Sequence, residues 1–451
     1  MFKKVLIANR GEIALRIHRA CKDLGLQTVA VHSTADNQAM HVRLADESVC
    51  IGPPSSKESY LNIQAILSAA EITGSDAIHP GVGFLSENAT FASMVEEHGF
   101  TFIGPSPEHI VMMGDKITAK EAVSSLGIPV VPGSAGVLKG DDEAKRLAQE
   151  MGFPVLVKAA AGGGGKGMRV SYGQHDLQEA LDQARREAQA SFGNNDVFLE
   201  KYLECPRHIE MQIIADTHGN VIHLGERDCS VQRRHQKIWE EAPSPVIDSQ
   251  QRQALGERVT KAIKKLGYRG VGTLEFLYEK GAFYFIEMNT RLQVEHPITE
   301  SITGIDLVQE QIRIAAGLPL SVSQEDVQFK GHAIECRINA EHSETFLPSP
   351  GKILEYHAPS GPYVRIESGL YTGYQVPPYY DSLISKLIVW GETREECLIR
   401  LNRVIGEYVV HGVDTLLPLH KKLSEHPDIQ KGIYDIHWLE KKFFAHQEEE
   451  S

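Results

Sequence analysis

The ten residues Glu287 to His296, EMNTRLQVEH, constrain this chain more than any other stretch. An apolar run, Phe283-Tyr284-Phe285-Ile286, leads straight into carboxylates, amides and a guanidinium, a set that is costly beside a core unless something neutralises it. The preceding strand-like run, Val271 to Tyr278, carries another acid, Glu275, and Glu279-Lys280-Gly281 reads as a three-residue hairpin loop ending in glycine. That register sets Glu275 opposite Phe285 and makes Glu287 its diagonal neighbour on the same face, about 7–8 Å away at the backbone. Glu275, Glu287 and Asn289 then suit a hard cation with oxygen ligands, such as magnesium. The competing reading is a solvated strand end with Arg291 in an ion pair.

With 451 residues the chain is long enough for two or three domains with substantial cores. Its 60 acidic and 46 basic side chains give a formal charge of -14, which argues against nucleic acid or an anionic membrane as the main partner. A phosphate ligand would therefore need a local basic pocket. The six cysteines include no CxxC pair, so neither a zinc site nor a disulfide framework is suggested. The apolar run after Met1-Phe2-Lys3-Lys4 is too short for a signal peptide, and no stretch has the length of a membrane span, which makes a cytoplasmic enzyme the expectation.

Residues 1 to about 112 alternate strand-like runs (Lys4 to Ala8, Thr28 to His32, Ser48 to Ile51, Asp76 to His79, Thr101 to Gly104) with helical patterns (Glu12 to Leu24, Tyr60 to Ala70, Asn88 to His98), predicting a parallel sheet covered on both faces. The first strand-to-helix turn, Asn9-Arg10-Gly11-Glu12, lacks GxGxxG, so a dinucleotide site is not expected. The turn from His79 to Asn88, HPGVGFLSEN, lies where open α/β sheets collect ligands, although Ser86 or Asn88 could serve there merely as a helix cap. A helical connector, Asp115 to Leu126, ends at Ile128-Pro129, and a new unit begins. In it a strand, Val155 to Lys158, precedes Ala159 to Val170, whose four consecutive glycines can wrap an anion and act as a lid, with Lys166 supplying charge; a plain flexible linker is the alternative. Val197 to Leu203 is a strand that could offer Glu200 and the backbone of Lys201 to Leu203 to an adenine edge. Arg227 to Lys237 gathers Arg227, Arg233, Arg234, Lys237 and His235, an anion site or a solvated charged loop. Ile302 to Ala316 is amphipathic, and the strand around Glu335 to Ala340 places Arg337 toward either ligand or solvent.

Together these stretches closely resemble biotin carboxylase, the ATP-grasp component of biotin-dependent carboxylases, from IANRGEIA at Ile7 through RRHQK at Arg233 to YYDS at Tyr379. The resemblance implies a mixed α/β and α+β fold: a Rossmann-like preATP-grasp domain at 1–113, a helical connector at 114–129, an ATP-grasp lid at 130–203 and a large C-terminal ATP-grasp region at 204–451. It implies that Lys116, Lys158, Gly164, Gly165, Met168, Glu200, Lys201, Leu203, His208, Gln232, His235, Glu275 and Glu287 hold ATP, and that Glu275, Glu287 and Asn289 hold Mg2+ or Mn2+. Lys237, Arg291, Gln293 and Val294 would hold bicarbonate, with Glu295 as its base. Arg337, Val82 and Gly83 would face biotin, with Arg337 stabilising the ureido enolate and Arg16 supporting that region. The family usually has tyrosine where this chain has Val82.

By the same resemblance the chain would carboxylate biotin on a biotin carboxyl carrier protein through carboxyphosphate, as a homodimer working with a carboxyltransferase. Acetyl-CoA carboxylase is the commonest setting; propionyl-CoA, pyruvate or another acceptor remains open. The absence of a Met-Lys-Met motif and the point where the chain stops suggest separate carrier and transferase polypeptides. A carbamoyl-phosphate-synthetase-like ligase would share the ATP residues, but RRHQK, TRLQVEH and PPYYDS favour biotin. A non-catalytic protein with a decayed biotin site is disfavoured by Glu295, Arg291 and Arg337.

Overall fold

The structure is a computed structural model that describes residues 2–134, 136–160 and 168–445. The glycine-rich run with Gly164, Gly165 and Lys166 lies outside the described residues, as does the side chain of Lys116. Two compact units form, one from Met1–Ala119, Arg207–Glu275 and Glu287–Ser451, the other from Lys120–Pro206 and Phe276–Ile286.

In the larger unit the expected parallel sheet is present. Its strands Lys4–Ile7, Gln27–Ser33, Glu47–Gly52, Ala77–His79 and Thr101–Phe102 pair in the order third, second, first, fourth, fifth. Val5, Leu6 and Ile7 are fully buried because both faces are covered, which explains why the strand reads as a continuous apolar run. The order reverses between the first and fourth strands, so their carboxyl ends, Asn9 and His79-Pro80-Gly81, flank the crevice where such sheets bind ligands. The two ends are tied together: the Asn9 amide donates to the Pro80 carbonyl at 2.7 Å and the Val82 carbonyl at 2.8 Å. Gly81 adopts φ +66°, and a Cβ there would lie 2.7 Å from the Asn9 amide nitrogen, so this turn requires glycine twice over. Asn88 caps the next helix by accepting from Phe91 N–H.

The larger unit also holds an antiparallel sheet. Arg207–Ala215, Val221–Arg233, Gln236–Ala242, His332–Asn339, Leu383–Gly391 and Val364–Ser368 pair in that spatial order, and the hairpin Gly270–Glu279/Ala282–Asn289, of which Gly270–Glu275 and Glu287–Asn289 belong to this unit, supplies the other two of the sheet's eight strands. One face packs on Arg394–Glu407 and Leu417–Glu425 through Ile334, Cys336, Leu387, Leu401 and Leu423. Its other face carries Glu210, Glu240, Glu335, Arg337 and Lys386, and the site lies there.

Two expectations need correction. The hairpin turn is the two residues Lys280-Gly281, at φ +50° and +85°, matching a type I′ turn rather than a three-residue loop. The diagonal placement of Glu275 and Glu287 deduced from the longer loop therefore does not follow. The amphipathic segment Ile302 to Ala316 is also not one element: His296–Thr303 stops at Gly304 (φ +73°), and Asp306 caps a separate helix, Leu307–Ala315.

The smaller unit is a three-stranded antiparallel sheet, Met168–Ser171, Val155–Ala159 and Val197–Lys201. Helices Asp141–Met151 and Leu177–Phe192 close over it through Ala144, Ala148, Leu181 and Ala184.

Candidate active site

Alternation along the strands builds the site of the larger unit. In Arg207–Ala215, His208, Glu210 and Gln212 fall on one face, and Arg227 reaches them from the neighbouring strand. Arg227 is fully buried and spends its donors on Glu210 (2.5 Å), Gln212 (2.6 Å), Thr299 (2.9 Å), Thr273 (3.3 Å) and Gln293 (2.6 Å). Burial alone would favour its neutral form, but Glu210 and Glu295 raise its pKa instead. Such a residue is framework: removing it would strand a buried carboxylate and the amide oxygens of Gln212 and Gln293.

Lys237 enters the same face from the adjoining strand. Its ammonium lies 2.6 Å from Glu210, 3.1 Å from Glu275 and 2.6 Å from Glu295. Burial opposes its charge, yet the three carboxylates hold its pKa well above the ordinary lysine value. Glu295 passes the interaction on through its other oxygen, 3.0 Å from Arg337 Nη2, and Arg337 Nε donates to Glu240 at 2.5 Å. His420 Nε2 donates to the Arg337 carbonyl at 2.8 Å, fixing the backbone beneath the guanidinium. Burial pushes the Glu295 carboxyl up, but Lys237, Arg337 and Arg227 outweigh it and hold it well below the usual range. Glu275 is likewise low: burial is overcome by Lys237 and His208.

The TRLQVEH segment folds onto this cluster as it turns into the helix His296–Thr303. Gln293 uses both ends of its amide, accepting from Arg227 and donating to Glu275 at 2.7 Å. The Val294 carbonyl accepts from Lys386 at 2.8 Å. Asn289 donates to Glu275 at 2.9 Å and accepts from Arg291 at 2.8 Å, while Arg291 Nε donates to Glu87 at 2.7 Å. A continuous path thus runs Glu87, Arg291, Asn289, Glu275, Lys237, Glu295, Arg337, Glu240.

Of the expected cation ligands, Glu275 and Asn289 meet, and Glu287 is half-buried on the same strand as Asn289. Glu275 also gathers with His208 and Glu210, their ligand atoms within 4.8 Å of one another. The carboxylate oxygens of Glu210 and Glu275 suit a hard divalent ion, with His208 offering a nitrogen beside them. Gln232 lies 3.0 Å from His208 Nδ1, and His208 Nε2 faces Glu275 at 3.0 Å.

The four cations of the Arg227 to Lys237 run do not converge on one anion pocket. Arg227 and Lys237 reach Glu210, whereas Arg233, beyond the register shifts between Asp228 and Gln232 that break the strand's alternation, lies over the Phe346 ring at 3.9 Å. Arg234 and His235 form the tight turn between strands at φ +48° and +65°, with Arg233 paired to Gln236.

Near the crevice of the parallel sheet, Gly83 is exposed, whereas Val82 is half-buried against the apolar cluster of Ile13, Ile17 and Leu292. Arg16 is buried and bonded to Glu300 (2.8 Å) and Asp306 (2.7 Å).

In the smaller unit Glu200 is held by Lys158 and by Lys120, each at 2.5 Å. Lys201 donates to the Gly152 carbonyl at 2.9 Å, Leu203 is buried, and Met168 sits opposite Lys158 at the start of its strand. Glu210 and Glu240 in the larger unit and Lys120 in the smaller are participants that the sequence reading did not single out, whereas Arg227 was read there only as one cation of a charged run. The period-two series His208, Glu210, Gln212 was the available signal for Glu210; Lys120 meets Glu200 only through folding.

Comparison with known proteins places the chain. Residues 1–110 match the family model for the biotin carboxylase N-terminal domain, 115–323 that for the ATP-binding domain of the carbamoyl-phosphate synthase L chain, and 335–441 that for the biotin carboxylase C-terminal domain. Biotin carboxylase of Haemophilus influenzae is 58% identical over 443 residues, covering 98% of this chain and 99% of that one. A pyruvate carboxylase component of Methanothermobacter thermautotrophicus is 51% identical over 441 residues, covering 98% and 90%. The biotin carboxylase domain dimer of Hydrogenobacter thermophilus 2-oxoglutarate carboxylase, solved with MgADP, ADP and bicarbonate, superposes with a TM-score of 0.89 at 51% identity over 98% of both chains. The chain belongs to the biotin carboxylase family of ATP-dependent ligases, whose ATP-binding domain is an ATP-grasp domain.

Proposed function

We propose that this biotin carboxylase performs the first half-reaction of acetyl-CoA carboxylase in fatty acid synthesis, carboxylating biotin on a separate carrier protein, in the cytoplasm and as a homodimer. The observation that supports the chemistry best is the Lys237–Glu295–Arg337 bridge, a buried carboxylate between two cations. Bicarbonate is a poor nucleophile and needs its proton removed while its oxygens are held in line with a phosphoryl group. Glu295 is the group assigned to take that proton. In the free chain it is a weak base, because Lys237 and Arg337 hold its carboxyl low. A bicarbonate anion that draws Lys237 and Arg291 to its own oxygens, with Gln293 and Val294 beside it, would release that hold and strengthen the base where it is used.

The remaining roles follow the family resemblance. Lys116, Lys158, Met168, Gly164, Gly165, Glu200, Lys201, Leu203, His208, Gln232 and His235 bind ATP. Glu275, Glu287 and Asn289 hold magnesium or manganese, which when bound offsets the charge of the phosphates. Arg337 stabilises the enolate of the biotin ureido group next to Val82 and Gly83. The four-segment division with boundaries at 113, 129 and 203 describes the working parts. Two of the relatives named above carry pyruvate and 2-oxoglutarate in their names and the third names no acceptor, so the acetyl-CoA assignment rests on that setting being the commonest for a subunit of this kind.

The test is phosphate release from ATP by the full chain with magnesium and bicarbonate, first with free biotin and then with a biotinylated carrier domain. Stimulation by either supports biotin carboxylation. Reconstitution with carrier and transferase, offered acetyl-CoA, pyruvate or 2-oxoglutarate, then reports the acceptor; product from pyruvate or 2-oxoglutarate alone overturns the acetyl-CoA assignment.

A further inference from the structure

Two buried glutamates beneath Arg337 are left with unmet oxygens. Glu240 and Glu335 stand directly opposite each other on neighbouring antiparallel strands, so their side chains share a face. Both are 0% exposed. Glu240 Oε1 accepts from Arg337 Nε, but its Oε2 has no partner among the described residues, and neither oxygen of Glu335 has one.

The adjacent residue shows what an ionised carboxylate looks like in this core. Glu241, on the opposite face of the same strand, is also fully buried, yet it accepts from Arg394 at 2.6 and 3.1 Å, from the Tyr434 hydroxyl, and faces His332 Nε2 at 2.7 Å. Against the pull of burial, Arg394 and His332 hold its carboxyl far below the usual range. Glu335 has no such escort. The charged groups facing it are Glu240 across the strand pair, Arg337 on its own strand, Lys386 on the other neighbour, and Glu295 at the start of the helix above. Lys386 is committed to the Val294 carbonyl and, at 3.2 Å, to Glu12, and Arg337 to Glu240 and Glu295. An anion with no donors in such a place is untenable, but a neutral acid has a hydroxyl to give.

We propose that Glu335 is a buried carboxylic acid whose hydroxyl donates to the unmet Oε2 of Glu240, and that the pair, sharing one proton, is the singly charged cradle that aims Arg337 toward biotin. One proton satisfies two of the three orphaned oxygens at once. It also sets the charge balance: two ionised carboxylates below the guanidinium would draw it away from Glu295, and none would leave Nε unheld. Burial pushes Glu335 well up and Glu240 to about 7, in keeping with a proton retained between them. Glu335 is thus a positioning residue that acts through Glu240 on Arg337.

The inference rests on the assignment of Arg337 to the biotin site, and the test separates the two. Infrared difference spectra of the full chain, wild type minus Glu335→Gln, should contain the carbonyl band of a protonated carboxylic acid that shifts in D2O. In the biotin-dependent assay Glu335→Gln, whose amide can still donate to Glu240, should keep kcat within about twofold, whereas Glu335→Leu should lose about tenfold in kcat with KM for ATP unchanged. Absence of the band, or a glutamine variant as slow as the leucine one, overturns the proposal. Arg337→Ala with normal turnover would instead overturn the biotin assignment while leaving the band in place.

Discussion

Glu295 and Glu200 are the same device built twice in different surroundings: a buried carboxylate bridging two cations. Glu295 sits between Lys237 and Arg337, whose side chains are 12% and 17% exposed, and Arg337 is further fixed by Glu240 and His420. Glu200 sits between Lys120 and Lys158, whose side chains are 28% and 29% exposed, and among the described residues neither ammonium has another hydrogen-bond partner. A locked bridge preserves geometry for a proton transfer; a loose one can trade its carboxylate for phosphate oxygens at small cost, because lysine is a point charge on a flexible stem. On the proposed function, the difference separates a group that would be aimed from groups that would be exchanged.

Breaking the locked bridge should have the largest effect. Glu295→Gln is expected to lower kcat by about 100-fold to 10,000-fold, with KM for ATP within about twofold of wild type. A parallel rise in KM for ATP would mean that the locked site serves nucleotide binding after all. Arg337→Ala leaves Glu240 and Glu295 each short of a cation, and denaturant unfolding should register a loss of about 3–5 kcal/mol beside the loss of turnover. An unfolding midpoint equal to wild type would show that the bridge carries no strain of burial.

Acid should discriminate between the units. Burial lowers His41, His223 and His420 to about 4 and His79 to about 3, all in the larger unit, whereas the smaller unit contains the single histidine His175. Because the unfolded chain takes up these protons near pH 6.5 and the folded chain does not, stability is fully present above pH 6.5. It is lost as pH falls toward 4, by up to about 1.4 kcal/mol per histidine per pH unit. Hydrogen exchange followed by mass spectrometry should therefore show the larger unit losing protection first; simultaneous loss would refute the distinction.

Lys120→Met weakens the loose bridge and should raise KM for ATP about fivefold, roughly 1 kcal/mol, with kcat little changed. The smallest effect concerns biotin contact. Val82→Tyr should lower the KM for free biotin by up to about fivefold through ring contact worth about 1 kcal/mol. Since Val82 packs half-buried against the apolar cluster that includes Ile13 and Leu292, the tyrosine must turn outward to do so, and an unchanged KM would show that it does not.

Local pattern carried much of this to the sequence. The five parallel strands and the turn at His79 were legible because period and punctuation are local properties. The motif EMNTRLQVEH announced a site because its charges contradict its apolar lead-in. Partners distant in sequence were not legible. Glu210 lies 85 residues from Glu295, and only the sheet brings both to Lys237. The hairpin at Lys280 reads one residue too long in the sequence because glycine after lysine fits a two- or three-residue loop equally well; the φ values decide it.

Two tight turns described above carry a lesson for anyone selecting variants. Lys280-Gly281 places glycine at its second left-handed position, whereas Arg234-His235 forces two side chains into the same backbone region, a strain of about 1 kcal/mol or more. A library screened for heat resistance alone would be drawn to Asn-Gly at 234–235 and would be rewarded for it, while a screen for turnover would reject the same clones if His235 contacts ATP. Disagreement between the two screens at this turn would mark the place where natural selection has kept chemistry at the expense of robustness.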